Sequence, residues 1–347
     1  MPSARRALPA KALPPGELAP AVFSTAGLDG PRRVELWEAH NAAALIGLDV
    51  HAPGPLAATE VNVQLPRARL ARVTASAHAV ERTAGVIARC PADSIAIYLA
   101  LRGDATFASA AARYRLRPGE AVVCATDQPF ARRFAGGLEE LVITVPCSAF
   151  TTPLDATPAE PKFARFGAPA NARRHGEAAP DGISQYARAL ARLAGRATRT
   201  EQPLPPDEQT VLDLAAVLAS GRAAAPATAH RAAAQAYIED CLTDPDLGAE
   251  EIAAAVGISP RQLSRVFAAE GTSVPRHILA RRLALAYSLL SSPRSDPATL
   301  APLDPPEPVA DVAARCGFTS PAYFSHAFRQ HFGLRASDVR PGAAALA

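Results

Sequence analysis

Two stretches near the C-terminus repeat one pattern: a short helix, a tight turn containing glycine, and a second helix that begins with Ser-Pro. In the second copy Gly317 can take the left-handed conformation that ends a helix, and Ser320-Pro321 supplies a side-chain cap and a preset first residue. Gly257 lies 60 residues before Gly317, and Phe267 lies 61 residues before Phe328, because the second turn is one residue longer. The repeat predicts a tandem helix-turn-helix, whose second helices can lie in the major groove of DNA.

The second helix of each copy has an apolar stripe, which leaves its opposite side free to face DNA. The stripe is Leu263 and Phe267 in the first copy, and Phe324 with Phe328 in the second. The residues predicted to face DNA are Arg261, Gln262, Ser264 and Arg265 in the first copy, and Ser320, Ala322, Tyr323, Ser325, His326 and Arg329 in the second. Arginine pairs with guanine or phosphate and glutamine with adenine, and serine and tyrosine are expected mainly at phosphates. One long helix, 274–290, is predicted between the copies.

Residues 230–347 resemble the tandem helix-turn-helix domain of the AraC/XylS family of transcription regulators, and Gly317–Gly333 carries the clearest match. His326 stands where that family usually has Arg or Lys, and Ala336 stands where a Pro usually opens the last short helix. A Pro-rich loop, Ser292–Pro308, is longer than is usual in the family. The resemblance implies a sequence-specific, effector-responsive activator that binds double-stranded operator DNA, contacts RNA polymerase and forms a homodimer.

Charge alone gives weak support for nucleic-acid binding. The net charge is +3, and residues 230–347 hold eleven Arg and no Lys against twelve Asp and Glu. The signs are unevenly distributed, however: Ser259–Arg294 has six Arg and one Glu, whereas Glu239–Glu251 has six acids and no base. A local basic face is what phosphate contact requires, and a solvated charged face is the alternative interpretation.

The N-terminal part predicts a β-rich domain. Residues 1–30 are rich in Pro and Ala and are expected to be disordered, and 34–48 have helix-like apolar spacing around the single Trp. Short β-prone runs separated by turns follow from Val61 to Val145, which favours an antiparallel sandwich or barrel. The block resembles the cupin-like sensor domain of many AraC-type regulators. The residues that carry this resemblance are Val80–Arg82, Leu101–Gly103, Arg117–Gly119, Asp127–Pro129 and Leu141–Pro146.

Two helical stripes lie between the predicted domains. One contains Ile183, Tyr186, Leu190 and Leu193, and the other contains Val211, Leu212, Ala215 and Leu218. Such a hairpin either packs on the sensor or meets its counterpart in a dimer, and the sequence leaves both open. Arg222–Ala229 is predicted to be a linker. The whole chain is thus predicted to be an α+β protein with a sensor at 31–150, a helical connector and linker at 151–229, and an all-α DNA-binding domain at 230–347.

Other functions find less support in the sequence. The 5 Cys are scattered without a Cys-x-x-Cys pair, and His40, His51 and His78 are not at ligand spacing, so neither a metal nor another cofactor is expected. No apolar run is long enough for a membrane span, and a cytoplasmic location is expected. Arg82, Arg102 and Glu120 either line a pocket or are ordinary strand-edge charges. The rival hypotheses are a sensor that binds a protein partner, and an enzyme with an accessory DNA-binding module.

Overall fold

The chain forms two compact units, which divide between Ala232 and Ala233. The computed structural model describes residues 20–111, 113–150, 160–166, 184–200, 203, 206–220, 226–291 and 307–339. Among these residues, no helix combines the length and apolar character that crossing a membrane requires.

The N-terminal unit is built on two antiparallel sheets that enclose a core. In spatial order, the strands of the larger sheet are β1 (Ala21–Ser24), β3 (Ala58–Gln64), β4 (Arg69–Ala75), β11 (Leu138–Pro146), β6 (Ser94–Arg102), β9 (Glu120–Ala125) and β12 (Lys162–Arg165). Those of the smaller sheet are β2 (Asp49–His51), β5 (His78–Arg82), β10 (Phe130–Phe134), β7 (Ala105–Ser109) and β8 (Arg113–Leu116). Residues from the inner faces of both sheets, including Val80, Tyr98, Phe107 and Val142, form one buried cluster. This arrangement confirms the predicted antiparallel, cupin-like sandwich.

Four helices accompany the described part of the sandwich. They are α1 (Gly30–Ala44), α2 (Ala84–Arg89), α3 (Ser184–Ala197) and α4 (Glu208–Ser220). Helices α3 and α4 pair with each other and contact the larger sheet at β4, β9, β11 and β12. Their predicted stripes are buried there, with Leu190, Val211 and Leu218 no more than 1% exposed. The connector stripe therefore packs on the sensor of its own chain; Ile183 lies outside the described residues.

The predicted disorder of residues 1–30 is wrong for the part that the structure describes. Strand β1 pairs with β3, and the buried Thr25 hydroxyl donates to the carbonyl oxygen of Leu56 at 2.9 Å. These contacts satisfy the backbone of an extended segment whose Val22 and Phe23 favour a strand. Helix α1 also begins at Gly30, four residues before the predicted start, because Pro31 fits the first turn of a helix. Residues 1–19 lie outside the described part.

The predicted limits of the connector also differ from the structure. Strand β12 follows position 150 yet pairs with β9, so the sensor sheet includes a strand from the predicted connector segment. The predicted linker 222–229 is helical from Pro226, because proline is tolerated in a first turn and the following alanines favour a helix. Residues 221–225 lie outside the described part.

The C-terminal unit of the chain contains both of the predicted helix-turn-helix motifs. Its helices are the end of α5 (Pro226–Asp240), α6 (Ala249–Val256), α7 (Pro260–Ala268), α8 (Val274–Ser291), α9 (Val309–Arg315) and α10 (Pro321–Phe332), followed by a 3-10 turn, Ala336–Val339. Helix α7 of the first unit and helices α9 and α10 of the second all contact α8, the predicted long helix. Buried residues of α8, including Leu283 and Ala286, form one cluster with Phe324 and Phe328. Most of the Pro-rich loop, 292–306, lies outside the described residues.

Candidate DNA-binding interface

The turn of the second helix-turn-helix unit packs against an arginine of α8. Gly317 has a φ of +82°, and a Cβ built there would lie 3.0 Å from the guanidinium carbon of Arg282. Arg282 donates from Nε to the carbonyl oxygen of Leu242 at 2.9 Å and from Nη2 to that of Asp244 at 2.5 Å. A side chain at Gly317 would therefore be strained and would displace a hydrogen-bonded guanidinium. Arg282 joins α8, the segment after α5 and the turn of the second unit.

These contacts reduce the number of arginines that are available on the predicted basic face. Arg281 forms an ion pair with Glu239, and Arg282 is occupied by two backbone carbonyls. Arg282 is half-buried, and this burial lowers its pKa. Two of the six arginines in 259–294 thus stabilise the fold. Arg276, which the sequence did not single out, is exposed at the start of α8 and adds a candidate phosphate contact.

The two recognition helices, α7 and α10, begin in the same way. Ser259 Oγ accepts a hydrogen bond from the backbone N–H of Gln262 at 3.2 Å, and Ser320 Oγ accepts from that of Tyr323 at 3.3 Å. A proline follows each serine, where its missing N–H costs nothing. Each cap contributes about 1 kcal/mol to helix stability. Ser320 is therefore a structural cap as well as a predicted DNA contact.

A second pair of serines lies one turn further along the recognition helices. Ser264 Oγ donates to the carbonyl oxygen of Pro260 at 3.0 Å, and Ser325 Oγ donates to that of Pro321 at 2.9 Å. Both side chains are exposed, and the same bond occurs in both copies of the repeat. Such bonds are a known property of serine within helices.

The predicted DNA-facing residues lie on the outer sides of α7 and α10. Leu263 and Phe324 face inward and are fully buried. The residues exposed on the outside are Arg261, Ser264 and Arg265 on α7, and Ala322, Tyr323, Ser325, His326 and Arg329 on α10, whereas Gln262 is half-buried. Within the described part of the chain, no ion pair or side-chain hydrogen bond is formed by Arg261, Arg265 or Arg329. These three charges are available to an anionic partner.

The interior of the sandwich contains an ion pair that the sequence analysis did not single out. The guanidinium of Arg132 donates to both carboxylate oxygens of Glu140, at 2.8 and 2.5 Å. The two side chains are 2% and 6% exposed, and the guanidinium carbon lies 3.8 Å from the ring centre of Tyr98. Burial acts to lower the pKa of Arg132, but the carboxylate of Glu140 raises it overall. Alternation along β10 could have indicated that Arg132 is buried. Side chains two positions apart in a strand point to the same face, and Arg132 lies between the inward-facing Phe130 and Phe134.

Burial favours the neutral forms of three polar groups near this ion pair. Burial raises the pKa of the Tyr98 hydroxyl and raises that of the Cys124 thiol to about 12. Burial also lowers the pKa of His78, although its ring nitrogen is 2.7 Å from the carbonyl oxygen of Ser76. The residues near this ion pair border a cavity of about 30 Å³, and a second cavity of about 110 Å³ is lined by Phe107, Cys124 and Phe130.

The other charged residues that the sequence offered for a pocket have separate partners. Arg82 is fully buried and bonds to the carbonyl oxygens of Gly47 and Cys90 as well as to Asp127. Arg102 is exposed and pairs with Glu139. Glu120 lies 3.4 Å from Arg165 across the β9–β12 pair. Arg102 and Glu120 thus agree with the interpretation as strand-edge charges, whereas Arg82 is a buried residue that joins several backbone segments.

Comparisons with known proteins agree with this arrangement. A family model described as an AraC-binding-like domain matches residues 39–244, more than half of the chain, and one described as a helix-turn-helix domain matches 252–341. The transcriptional activator RhrA of Rhizobium meliloti is 34% identical over 108 residues, which are 31% of each chain. The transcriptional activator NphR of a Rhodococcus species is 36% identical over 100 residues, 28% of this chain and 26% of that one. These matches span less than a third of the curated relatives.

One solved structure aligns with most of this chain. The crystal structure of the AraC-like transcriptional activator CuxR covers 78% of this chain and 95% of its own, with 20% identity and a TM-score of 0.42. A cupin-like sandwich and a tandem helix-turn-helix domain in one chain define a class of DNA-binding regulators. The match of the AraC-binding-like model to most of the N-terminal unit shows which family within this class the chain represents. The chain belongs to the AraC/XylS family of transcription regulators.

Proposed function

We propose that the chain regulates transcription by placing α7 and α10 in two successive major grooves on one face of operator DNA. The observation that carries this proposal is the matched exterior of the two recognition helices. Each is capped by a Ser-Pro start, buries its apolar side, and presents arginine without an intramolecular partner among the described residues. Both helices pack on α8, which supports a common placement on the duplex.

Footprinting tests the two-groove arrangement. The domain 230–347, after circular dichroism has verified its helical content, is expected to protect two segments separated by one helical turn of DNA, about 34 Å. A single recognition helix cannot span that distance, so protection of one groove segment only would contradict the proposal. Variants of Arg265 on α7 and Arg329 on α10 are expected to remove different segments.

His326 provides a second test of the proposed interface. It is exposed on α10 where relatives in the family usually have a permanent cation, and an imidazole can lose its charge whereas a guanidinium cannot. His326→Arg is therefore expected to tighten DNA binding at neutral pH and to flatten its pH dependence. Fluorescence anisotropy between pH 6 and 8 measures both, with His331→Arg, an exposed histidine on the same helix, as the control. Equal affinity and equal pH response of wild type and His326→Arg would remove His326 from the interface.

For the sensor, we propose a small-molecule effector that binds between the sheets. Charged groups buried in an apolar core cost stability relative to hydrophobic replacements, so the Arg132–Glu140 pair suggests a recognition role. Arg132 Nε also has no hydrogen-bond partner among the described residues, which leaves a donor for a polar ligand. A protein partner for the sensor is the competing hypothesis. A ligand-dependent rise in the unfolding temperature that the double variant Arg132→Met with Glu140→Leu abolishes, while this variant stays folded, would decide for the effector.

The remaining roles rest on the family and on the relatives' names. RhrA and NphR are each called transcriptional activators, and we propose the same role here, with RNA polymerase as a partner in the cytoplasm and without enzymatic activity. The proposed homodimer uses a surface other than the apolar stripe of α3 and α4, because that stripe is buried within one chain. Sedimentation of the full chain tests the dimer.

A further inference from the structure

We propose that His40, Glu60 and Asn62 form a binding site for a divalent first-row metal ion at the edge of the sandwich. His40 lies on α1, and the other two residues lie two positions apart on β3. Nε2 of His40 is 3.2 Å from Oε1 of Glu60 and 3.0 Å from the side-chain nitrogen of Asn62. A carboxylate and an amide, each able to supply an oxygen ligand, thus lie next to one imidazole nitrogen.

The buried carboxylate of Glu60 lacks hydrogen bonds within the described part of the chain, which indicates that it has another binding partner. Its side chain is fully buried, and its neighbours across the sheet are Phe23 on β1 and Val73 on β4. Although Oε1 lies close to His40, neither carboxylate oxygen accepts a hydrogen bond from the described residues. Burying a carboxylate without such bonds is costly, and an unsatisfied one is rare in folded proteins.

The protons available to these three residues do not satisfy all the contacts. If His40 Nε2 accepts a hydrogen bond from the Asn62 amide, this nitrogen carries no proton. It then lies beside Glu60 Oε1, which is also an acceptor, with no proton between the two atoms. If Nε2 carries a proton for Glu60, the amide N–H of Asn62 faces another donor. The side-chain oxygen of Asn62 is also buried without a hydrogen bond. Each arrangement leaves at least one buried group unsatisfied.

A metal ion satisfies the three groups together. Bonds of about 2.0–2.2 Å to nitrogen and oxygen ligands place neighbouring donor atoms roughly 3.0–3.5 Å apart, which is the spacing around His40 Nε2. A half-turn of the Asn62 amide directs its oxygen toward the same point. One imidazole, one carboxylate and one amide oxygen suit ions such as Zn²⁺ or Mn²⁺, with solvent completing the coordination. Phe23 stacks on the His40 ring, with centroids 4.1 Å apart, and limits its rotation.

Spacing along the chain does not reveal this group, because twenty residues and a change from helix to strand separate His40 from Glu60. Among the described residues, no three His, Cys, Asp or Glu side chains come together as possible metal ligands, and the third ligand proposed here is an amide. The three residues lie on α1 and β3 of the sandwich, so metal binding there is independent of DNA binding.

The test uses the untagged full chain after treatment with a chelator. Titration calorimetry with Zn²⁺, Mn²⁺ and Mg²⁺ is expected to show one site for Zn²⁺ or Mn²⁺, and that ion should raise the unfolding temperature of the sensor by several degrees. Glu60→Gln keeps the shape of the side chain but removes its charge, and it should weaken binding more than tenfold. His40→Gln should do the same, whereas His51→Gln, at an exposed histidine, should not.

Two outcomes overturn the proposal. One is a wild-type chain that binds neither Zn²⁺ nor Mn²⁺, in which case a proton shared by His40 and Glu60 accounts for the contact. The other is equal binding by wild type and by a folded Glu60→Gln variant, which would place the ion elsewhere.

Discussion

Replacement of Arg132 by methionine is expected to lower the free energy of unfolding of the sensor unit by about 3–5 kcal/mol. The buried Glu140 would lose both of its hydrogen bonds from Arg132 and keep a charge in the core, and the rings of Tyr98 and Phe134 would lose the guanidinium that lies over them. Urea unfolding followed by the fluorescence of Trp37, the single tryptophan and a buried residue of this unit, measures the change.

The matched control removes the charge as well as its partner. In the double variant Arg132→Met with Glu140→Leu, both positions are apolar and of similar volume, so most of the lost stability should return. If the single variant is as stable as wild type, Glu140 is not held as a buried carboxylate by Arg132. If the double variant is no better than the single one, packing around Tyr98 accounts for the loss rather than charge.

Replacement of Arg265 by alanine is expected to weaken binding to the cognate operator by about 1–3 kcal/mol, roughly 5- to 150-fold in Kd. The residue is exposed on α7 and lies opposite the buried Leu263 and Phe267, so the fold does not need its side chain. If Arg265 pairs with a guanine, preference should relax at one base pair. If it contacts only phosphate, the loss should be similar on all sequences. The slope of the logarithm of the binding constant against the logarithm of the salt concentration should then fall in magnitude by about one.

Titrations of cognate and scrambled duplexes at several salt concentrations distinguish these cases. Arg199→Ala changes an exposed arginine of the N-terminal unit and serves as the control for a general loss of charge. Unchanged affinity of a folded Arg265→Ala variant would remove Arg265 from the interface and weaken the assignment of Arg261 and Ser264, which share its side of α7.

The helix-turn-helix units were predictable because their signals are local. Gly317, the Ser-Pro starts and the apolar spacing all act within a few residues, and the structure reproduces the predicted helices around them. The first strand was missed because a short extended segment is stabilised by a distant partner, β3, and composition alone does not show that partner. The same limitation applies to Arg282, whose role depends on carbonyl groups about 40 residues away.

The sandwich illustrates the same distinction between local and long-range signals. Strand β11 lies at the end of the β-prone stretch predicted from Val61 to Val145, since β-prone residues and flanking turns mark a strand locally. In contrast, the pairing of Arg132 with Glu140 and the approach of His40 to Glu60 depend on how strands and helices pack. The choice between a connector that packs on the sensor and one that forms a dimer was also open, because an apolar stripe does not specify its partner.

The hydroxyl bonds of Ser264 and Ser325 determine what these residues can recognise. A serine hydroxyl has a single proton, and in both recognition helices that proton is already directed to a proline carbonyl oxygen. A phosphate oxygen only accepts hydrogen bonds, so each serine would have to break its helix bond to hold one. The free lone pairs can instead accept from the amino groups of adenine or cytosine, which are exposed in the major groove. In the proposed interface we therefore expect the two serines to accept hydrogen bonds from amino-bearing bases rather than to hold the DNA backbone, contrary to what their residue type alone suggests.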